Sequence, residues 1–240
     1  MSGQPRYQRV LLKVSGEGFG SPGGSAIEAG AVASLLDEIV PVVEMGVQVA
    51  LVVGGGNIVR ARDLAGDAHV ERVTADYMGM LGTVINALCL RDALAGRGID
   101  ARVLSAIPVA AVCEPFVRGR AIQHLNKGRV IVFAGGTGSP FFTTDTCASL
   151  RASEIEAQVL LKATKVDGVF DSDPEVNADA QKYDRLTYPQ VLTERLGVMD
   201  LTAVSMCMES KIPIVVFQLS RPGSLARVVC GEDIGTTISE

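Results

Sequence analysis

Four segments of the 240-residue chain pair a nearly unbroken apolar run with a loop rich in glycine, threonine or charge directly behind it. They are 9–14 (RVLLKV), 47–53 (VQVALVV), 129–133 (RVIVF) and 158–163 (QVLLKA). A strand that is apolar at successive positions buries both faces, so it needs a helical layer on each side. The intervening sequence supplies helices. Residues 31–45 place Val32, Leu35, Leu36, Ile39, Val40 and Val43 at helical spacing, and 70–96 does the same with Met78, Leu81, Ile85, Leu88 and Leu94. Further helices are predicted at 118–126, 144–155, 202–209 and 225–230, and strands at 102–104 and 214–217. Strands alternating with helices imply right-handed βαβ units. The expected fold is therefore α/β, a mainly parallel central sheet with helices on both faces, in a single three-layer domain of two lobes. No Ser/Pro-rich linker or repeat divides the chain.

In open parallel sheets ligands bind beyond the carboxyl ends of the strands, so the loops carry the chemistry. Behind the first strand stands Lys13-Val14-Ser15-Gly16. A lysine ending a buried strand either snorkels to solvent or meets an anion. Behind the second strand, Gly54-Gly55-Gly56-Asn57 lets the backbone approach a ligand closely, and Arg60 follows one turn on. Residues 134–145 (AGGTGSPFFTTD) run from a glycine loop into a helix start, where Thr143 or Thr144 is a natural cap and Asp145 suits the first turn. The loop at 162–174 carries the turn signals Asp167-Gly168 and Asp173-Pro174. Together the loops suit two phosphate-bearing ligands meeting in line, since phosphoryl transfer asks a protein for positioning and positive charge.

Other chemistries find less support. Residues 18–23 spell G-x-G-x-x-G, but the pattern contains Pro22 and opens no helix, unlike a dinucleotide fingerprint. The P-loop pattern G-x-x-x-x-G-K-[ST] is absent. His69 and His124 lie in polar helical surroundings and read as solvated, which gives a Ser-His-Asp hydrolase or a zinc site little to build on. Five separated cysteines without a CxxC read as reduced thiols of a cytoplasmic protein. A formal charge of −5 argues against a nucleic-acid surface. No run approaches 18 consecutive apolar residues, so no membrane span is expected, and the N-terminus shows no signal-peptide core.

The segments LLKVSGE (11–17), VVGGGNIVR (52–60), DYMGMLGTVINAL (76–88), GTGSPFFTTDT (136–146), LKATKVDGVFDSDP (161–174) and VMDLTA (198–203) resemble the bacterial uridylate kinase (UMP kinase) family of the amino-acid-kinase superfamily. The resemblance implies transfer of the γ-phosphoryl group of MgATP to UMP, in an acceptor lobe of about 7–160 and an ATP lobe of about 161–240. It implies that Lys13, Val14, Ser15 and Gly16 hold the ATP phosphates, with Gly56 and Arg60 on the ATP side. Thr164, Phe170 and Asp173 would hold adenosine. Gly55 would take the UMP phosphate and Asp76 its ribose. Thr137, Gly138, Ser139, Pro140, Phe141, Phe142, Thr143 and Thr144 would wrap the uridine. Lys13, Arg60 and Asp145 would be catalytic, with Asp145 organising Lys13. Asp200 matches a family acid of structural or charge-organising role. Mg²⁺ would arrive with ATP, no protein metal cage being visible.

The family also implies a cytoplasmic homohexamer of pyrimidine nucleotide synthesis, activated by GTP and inhibited by UTP. Residues 21–26 (SPGGSA) match its GTP-linked loop but lack the acidic and aromatic residues of some relatives, and Ala95 replaces a histidine beside Arg91, Arg102 and Arg129. Gln158 replaces an acid, and VRAR at 59–62 departs from the common F-R-G. Two alternatives share the fold: a nucleotide-binding oxyanion-storage protein without catalysis, and a sibling kinase with another small-molecule acceptor.

Overall fold

The computed structural model describes residues 4–20, 24–60, 70–174, 176–177 and 179–240. The apolar runs become the middle of a nine-stranded sheet. In chain order the strands are β1 (Arg9–Val14), β2 (Gln48–Val53), β3 (Ala101–Ser105), β4 (Glu114–Pro115), β5 (Val130–Ala134), β6 (Val159–Thr164), β7 (Val169–Phe170), β8 (Lys182–Tyr183), β9 (Arg185–Thr187), β10 (Ile214–Gln218) and β11 (Thr236–Ser239). The order across the sheet is β4-β3-β5-β2-β1-β6-β10-β11-β9, parallel except where β11 runs against β10. β7 and β8 form a separate antiparallel ribbon.

The helices are α1 (Ala29–Glu44), α2 (Arg72–Gly96), α3 (Arg118–Asn126), α4 (Thr144–Glu154), α5 (Tyr188–Glu194), α6 (Leu201–Glu209) and α7 (Ser224–Val229), with a 3₁₀ turn at Gly16–Phe19. The two-sided burial inferred from sequence is visible residue by residue. Val10, Leu12 and Val14 join one core with α1, α2 and α7, while Leu11 joins the other with α4 and α6. β2 alternates the same way, Val49, Leu51 and Val53 against Ala50 and Val52.

α2 is long and apolar enough, by length and composition, to cross a membrane, a possibility that a search for uninterrupted apolar runs overlooks. In the fold Ala75, Met80, Val84, Ala87, Leu90 and Leu94 are buried along it. Its other side exposes Val73, Tyr77, Leu81 and Ile85, one residue per turn. All five cysteines are free thiols. One expectation is corrected: His124 is buried, not solvated. Its ring meets Glu114 of β4 (Nε2 to Oε2, 3.3 Å) and Arg129 directly before β5 (Nδ1 to Nη1, 3.1 Å). These strands flank its helix in sequence, so the contacts depend on how that helix packs against the sheet. His69 lies outside the described residues.

Candidate active site

β1, β2, β5 and β6 run in the same direction, so the loops behind them gather at one edge of the sheet. The β1–β6 register sets Lys13 beside Lys162. Neither lysine snorkels. Both ammonium groups converge on Asp145, Lys13 Nζ at 2.7 Å from Oδ1 and Lys162 Nζ at 2.9 Å from Oδ2. Lys162 also donates to the Val198 carbonyl. Asp145 stands in the first turn of α4, which Thr143 caps by accepting from the Asp145 and Thr146 amides. Burial alone would raise the Asp145 pKa, but the charges of Lys13 and Lys162 outweigh it and hold the carboxyl below its ordinary value. Lys162 is shifted down, chiefly by burial and secondarily by the like charge of Lys13, with Asp145 opposing. Asp200 caps α6 through the Ala203 amide and accepts from the Thr143 and Thr146 hydroxyls, which fastens α6 to the start of α4.

The glycine loop divides into two kinds of position. A Cβ on Gly54 would lie 2.6 Å from the Gly16 nitrogen, and one on Gly55 would lie 2.4 Å from the Gly79 carbonyl oxygen. Those two glycines let three backbones pack together. Gly56 is exposed, and a Cβ there would meet nothing within 4 Å. Asn57 and the fully buried Asn86 of α2 exchange amide hydrogen bonds of 3.0 and 2.7 Å, and Asn86 also donates to the Gly54 carbonyl. This clamp fixes the loop on α2.

A pocket of about 300 Å³ opens between the glycine loop and α2, lined by Ser15, Gly16, Gly55, Gly56, Asp76, Thr83, Gly136, Phe142, Thr143 and Thr144 among others. Asp76 accepts from Arg72 Nε (2.9 and 3.0 Å) and from the Phe141 amide (2.8 Å), so it ties α2 to the 135–143 loop. Phe141 adopts φ 72°, the left-handed region, and its exposed ring lies under the Arg72 guanidinium at 5.9 Å. Thr137, Gly138, Ser139, Pro140 and Phe141 do not line this pocket. Thr137 and Ser139 bond to each other in the turn beyond it.

Two cavities of about 600 Å³ lie on the β6 side. One is lined by Lys13, Val14, Ser15, Glu17, Lys162, Thr164 and Lys165, the other by Lys162, Thr164, Phe170, Asp173 and the 194–198 segment. Thr164, Phe170 and Asp173 thus come together as expected. Arg60 lines none of the three spaces. Its Nη2 pairs with Glu17 Oε1 at 2.7 Å, and Lys165 pairs with the other Glu17 oxygen, also at 2.7 Å. The Lys165 hydrogen bond is the main cause that holds the Glu17 carboxyl below its ordinary value.

The sequence reading missed Lys162 and Glu17. For Lys162 a signal existed: KV and KA end two central strands at matching positions. Among the described residues no three His, Cys, Asp or Glu groups cluster as metal ligands. Farther away, Arg102 and Arg129 both pair with Asp100, at 2.6 and 2.7 Å, and Arg91 with Asp92 at 2.8 Å. Of the predicted effector loop, residues 21–23 lie outside the described residues.

Residues 8–218 match the amino acid kinase family. The crystal structure of UMP kinase from Bacillus anthracis superposes with a TM-score of 0.94 at 40% identity, covering 97% of this chain and 96% of that one. UMP kinase from Ureaplasma parvum gives 0.92 at 36% identity, with 98% and 100% covered. Uridylate kinase from Archaeoglobus fulgidus gives 0.74 at 32%, with 96% and 99% covered.

Proposed function

The chain belongs to the amino acid kinase family, and from that premise we propose that it is a nucleoside monophosphate kinase that transfers the γ-phosphoryl group of MgATP to UMP, giving UDP and ADP. The observation that carries this reading is the abutment of two ligand spaces at Ser15, beside the Lys13 ammonium. The 300 Å³ pocket takes UMP, with Gly55 at its phosphate, Asp76 at its ribose, and Phe142, Thr143 and Thr144 beside the uracil. Thr137 to Phe141, which stand outside that lining, close over the uracil from the turn beyond it. The two larger cavities take ATP, with Thr164, Phe170 and Asp173 around the adenosine and Lys13, Val14 and Ser15 along the phosphates. Gly16 and Gly56, which line the smaller pocket, meet the phosphates where the two spaces join. In this reading the acceptor lobe is about 7–160 and the ATP lobe about 161–240, with the Lys13–Glu17 segment of the acceptor lobe walling one ATP cavity.

In the transfer the bond from the γ-phosphorus to the β,γ-bridging oxygen breaks, and a bond to a UMP phosphate oxygen forms. The acceptor oxygen is already anionic, so no general base is needed. What the protein supplies is preorganised positive charge on the transferring group. Lys13 supplies it from a fixed position, because Asp145 grips its ammonium. Arg60 reaches the phosphates by leaving Glu17. Mg²⁺ enters as part of the MgATP substrate and balances its phosphate charge. The Asp145 carboxylate, taken up by two ammonium groups, is left to its organising role.

This reading includes the cytoplasmic homohexamer, pyrimidine nucleotide synthesis, and control by GTP and UTP. The exposed apolar stripe of Val73, Tyr77, Leu81 and Ile85 on α2 is the surface we assign to subunit contact. The test is ADP release from MgATP with UMP, CMP, dTMP, GMP, carbamate and N-acetylglutamate offered singly. Turnover with UMP alone is expected. Turnover with another acceptor and not UMP would mean a sibling kinase. ATP binding without turnover would favour oxyanion storage, tested next by molybdate uptake.

A further inference from the structure

Lys162 is the one charged side chain, among the described residues, that borders both of the larger cavities. It shares Asp145 with Lys13, its register partner, so one carboxylate pairs directly with two largely buried ammonium groups. The other nearby carboxylate, Asp200, is engaged by the hydroxyls of Thr143 and Thr146 and the Ala203 amide and hydrogen-bonds neither lysine. Burying two cations on one anion is costly, and a neutral side chain would brace the strand at less expense. Asp200 lends Lys162 its charge without a hydrogen bond, and a bound anion at the pair would offset the cost further.

The donor geometry leaves room for one. An ammonium has three protons. The Asp145 Oδ2 and the Val198 carbonyl take two of those on Lys162, and no third acceptor is bonded to it among the described residues. Both bonds also fix its position. Asp145 sets its distance from Lys13, and Val198 belongs to the 194–198 segment that walls the cavity holding Phe170 and Asp173. The ammonium therefore stands where a chain of phosphates passing from one cavity to the other must run.

We propose that Lys162 is a catalytic residue whose ammonium contacts the phosphate chain of the bound adenine nucleotide, as a second fixed charge beside Lys13. The proposal rests on reading the two larger cavities as an adenine-nucleotide site. It does not depend on which acceptor is used. A purely structural Lys162 would serve only as a strut between Asp145 and Val198.

Phosphate-dependent binding separates the two. Adenosine, ADP and ATP are titrated against the full chain and its Lys162→Met, Lys162→Gln and Lys162→Arg variants, with steady-state turnover measured in parallel. Lys162→Met is expected to weaken ADP and ATP roughly 10-fold or more, the scale of one hydrogen bond to a charged group, and to leave adenosine within about twofold. The kcat should fall about 10²-fold with the acceptor KM little changed. Lys162→Gln, whose amide can still bond Asp145 and Val198, should behave like Lys162→Met and keeps the test open if Lys162→Met fails to fold. Lys162→Arg should recover part of the phosphate-dependent affinity. Equal losses for adenosine and ATP, or no loss for either, would overturn the proposal in favour of the strut. If the wild type binds ATP but no UMP turnover occurs, the UMP reading fails while a phosphate-dependent loss still upholds Lys162. A wild type that binds no adenine nucleotide overturns both.

Discussion

Replacing Gly55 with alanine is the sharpest test of how the glycine loop is built. The new Cβ would stand 2.4 Å from the Gly79 carbonyl oxygen, 2.9 Å from the Thr83 nitrogen and 3.1 Å from the Gly82 carbonyl carbon, where ordinary contact begins at 3.4 Å. All three neighbours are backbone atoms of α2, so no side-chain rotation can relieve the overlap. Either the loop or the helix must shift. The loop is held by the Asn57–Asn86 clamp, and the helix by its buried face. Overpacking typically costs about 1–3 kcal/mol, and a clash with backbone on every side belongs at the upper end. In a chain of this size about 3 kcal/mol lowers Tm by roughly 6–12 °C. The KM for UMP should rise with it, because the same backbone walls the 300 Å³ pocket. Gly56→Ala is the control. Its Cβ meets nothing within 4 Å, so the unfolding free energy should stay within the roughly 0.5 kcal/mol scatter of neutral surface changes, while the KM for ATP rises. Thermal melts by circular dichroism and coupled ADP-release kinetics measure both. A Gly55→Ala protein with wild-type Tm, or a Gly56→Ala protein less stable than it, would refute the division of the loop into packing and ligand glycines.

Asp76→Asn should raise the KM for UMP about 10–100-fold, the scale of a hydrogen bond to a charged group, with the KM for ATP nearly unchanged. Equal effects on both would remove Asp76 from the acceptor site. Asp145→Asn leaves Lys13 and Lys162 facing each other without a carboxylate and should cost about 3–5 kcal/mol in urea denaturation at neutral pH. The Asp145 pKa is depressed in the fold, so its contribution is complete above the ordinary 3.8 and is lost as pH falls through the lower folded value. The gap between wild type and variant should therefore close on acidification, and a widening gap would refute the sign. Leu81→Glu, on the exposed stripe of α2, should give a smaller particle by light scattering. An unchanged mass would clear that stripe of any role in assembly.

The central strands were legible because two-sided burial writes itself as an apolar run, and β1, β2, β5 and β6 have it. The strands that escaped notice are short. β4, β7, β8, β9 and β11 span two to four residues each, and their pairing is decided by neighbours that no local window contains. α5 was legible in principle. Thr187-Tyr188-Pro189-Gln190 forms a capping box with a proline in the first turn, but it opens only a seven-residue helix. The loops announced the site because glycine and threonine behind a strand are conspicuous. Lys162 was hidden by its place inside a strand pattern, where a single lysine looks like an interruption, and only the β1–β6 register turns it into the partner of Lys13.

Two carboxylates organise the cations at this edge of the sheet, and they do so under different physical conditions. Asp145 and its lysines are about 11–14% exposed at the side chain, so their attraction is little screened and the trio cannot be opened cheaply. Glu17 binds Arg60 and Lys165 in the open, with Arg60 60% and Lys165 69% exposed, where an ion pair is worth about 0–1 kcal/mol. An incoming triphosphate can therefore take Arg60 and Lys165 from Glu17 at little cost, but it must come to Lys13 and Lys162 where they stand. That difference assigns preorganisation to the buried set and mobility to the exposed one. It also has a measurable consequence. Glu17→Gln should leave the unfolding free energy within about 1 kcal/mol of wild type, because only exposed pairs are lost. Its effect on the KM for ATP should shrink as salt is raised from 0.05 to 0.5 M, on the order of what screening of surface charges allows. The loss in Asp145→Asn should hardly respond to salt, and an equal salt response in the two variants would show that burial does not separate them.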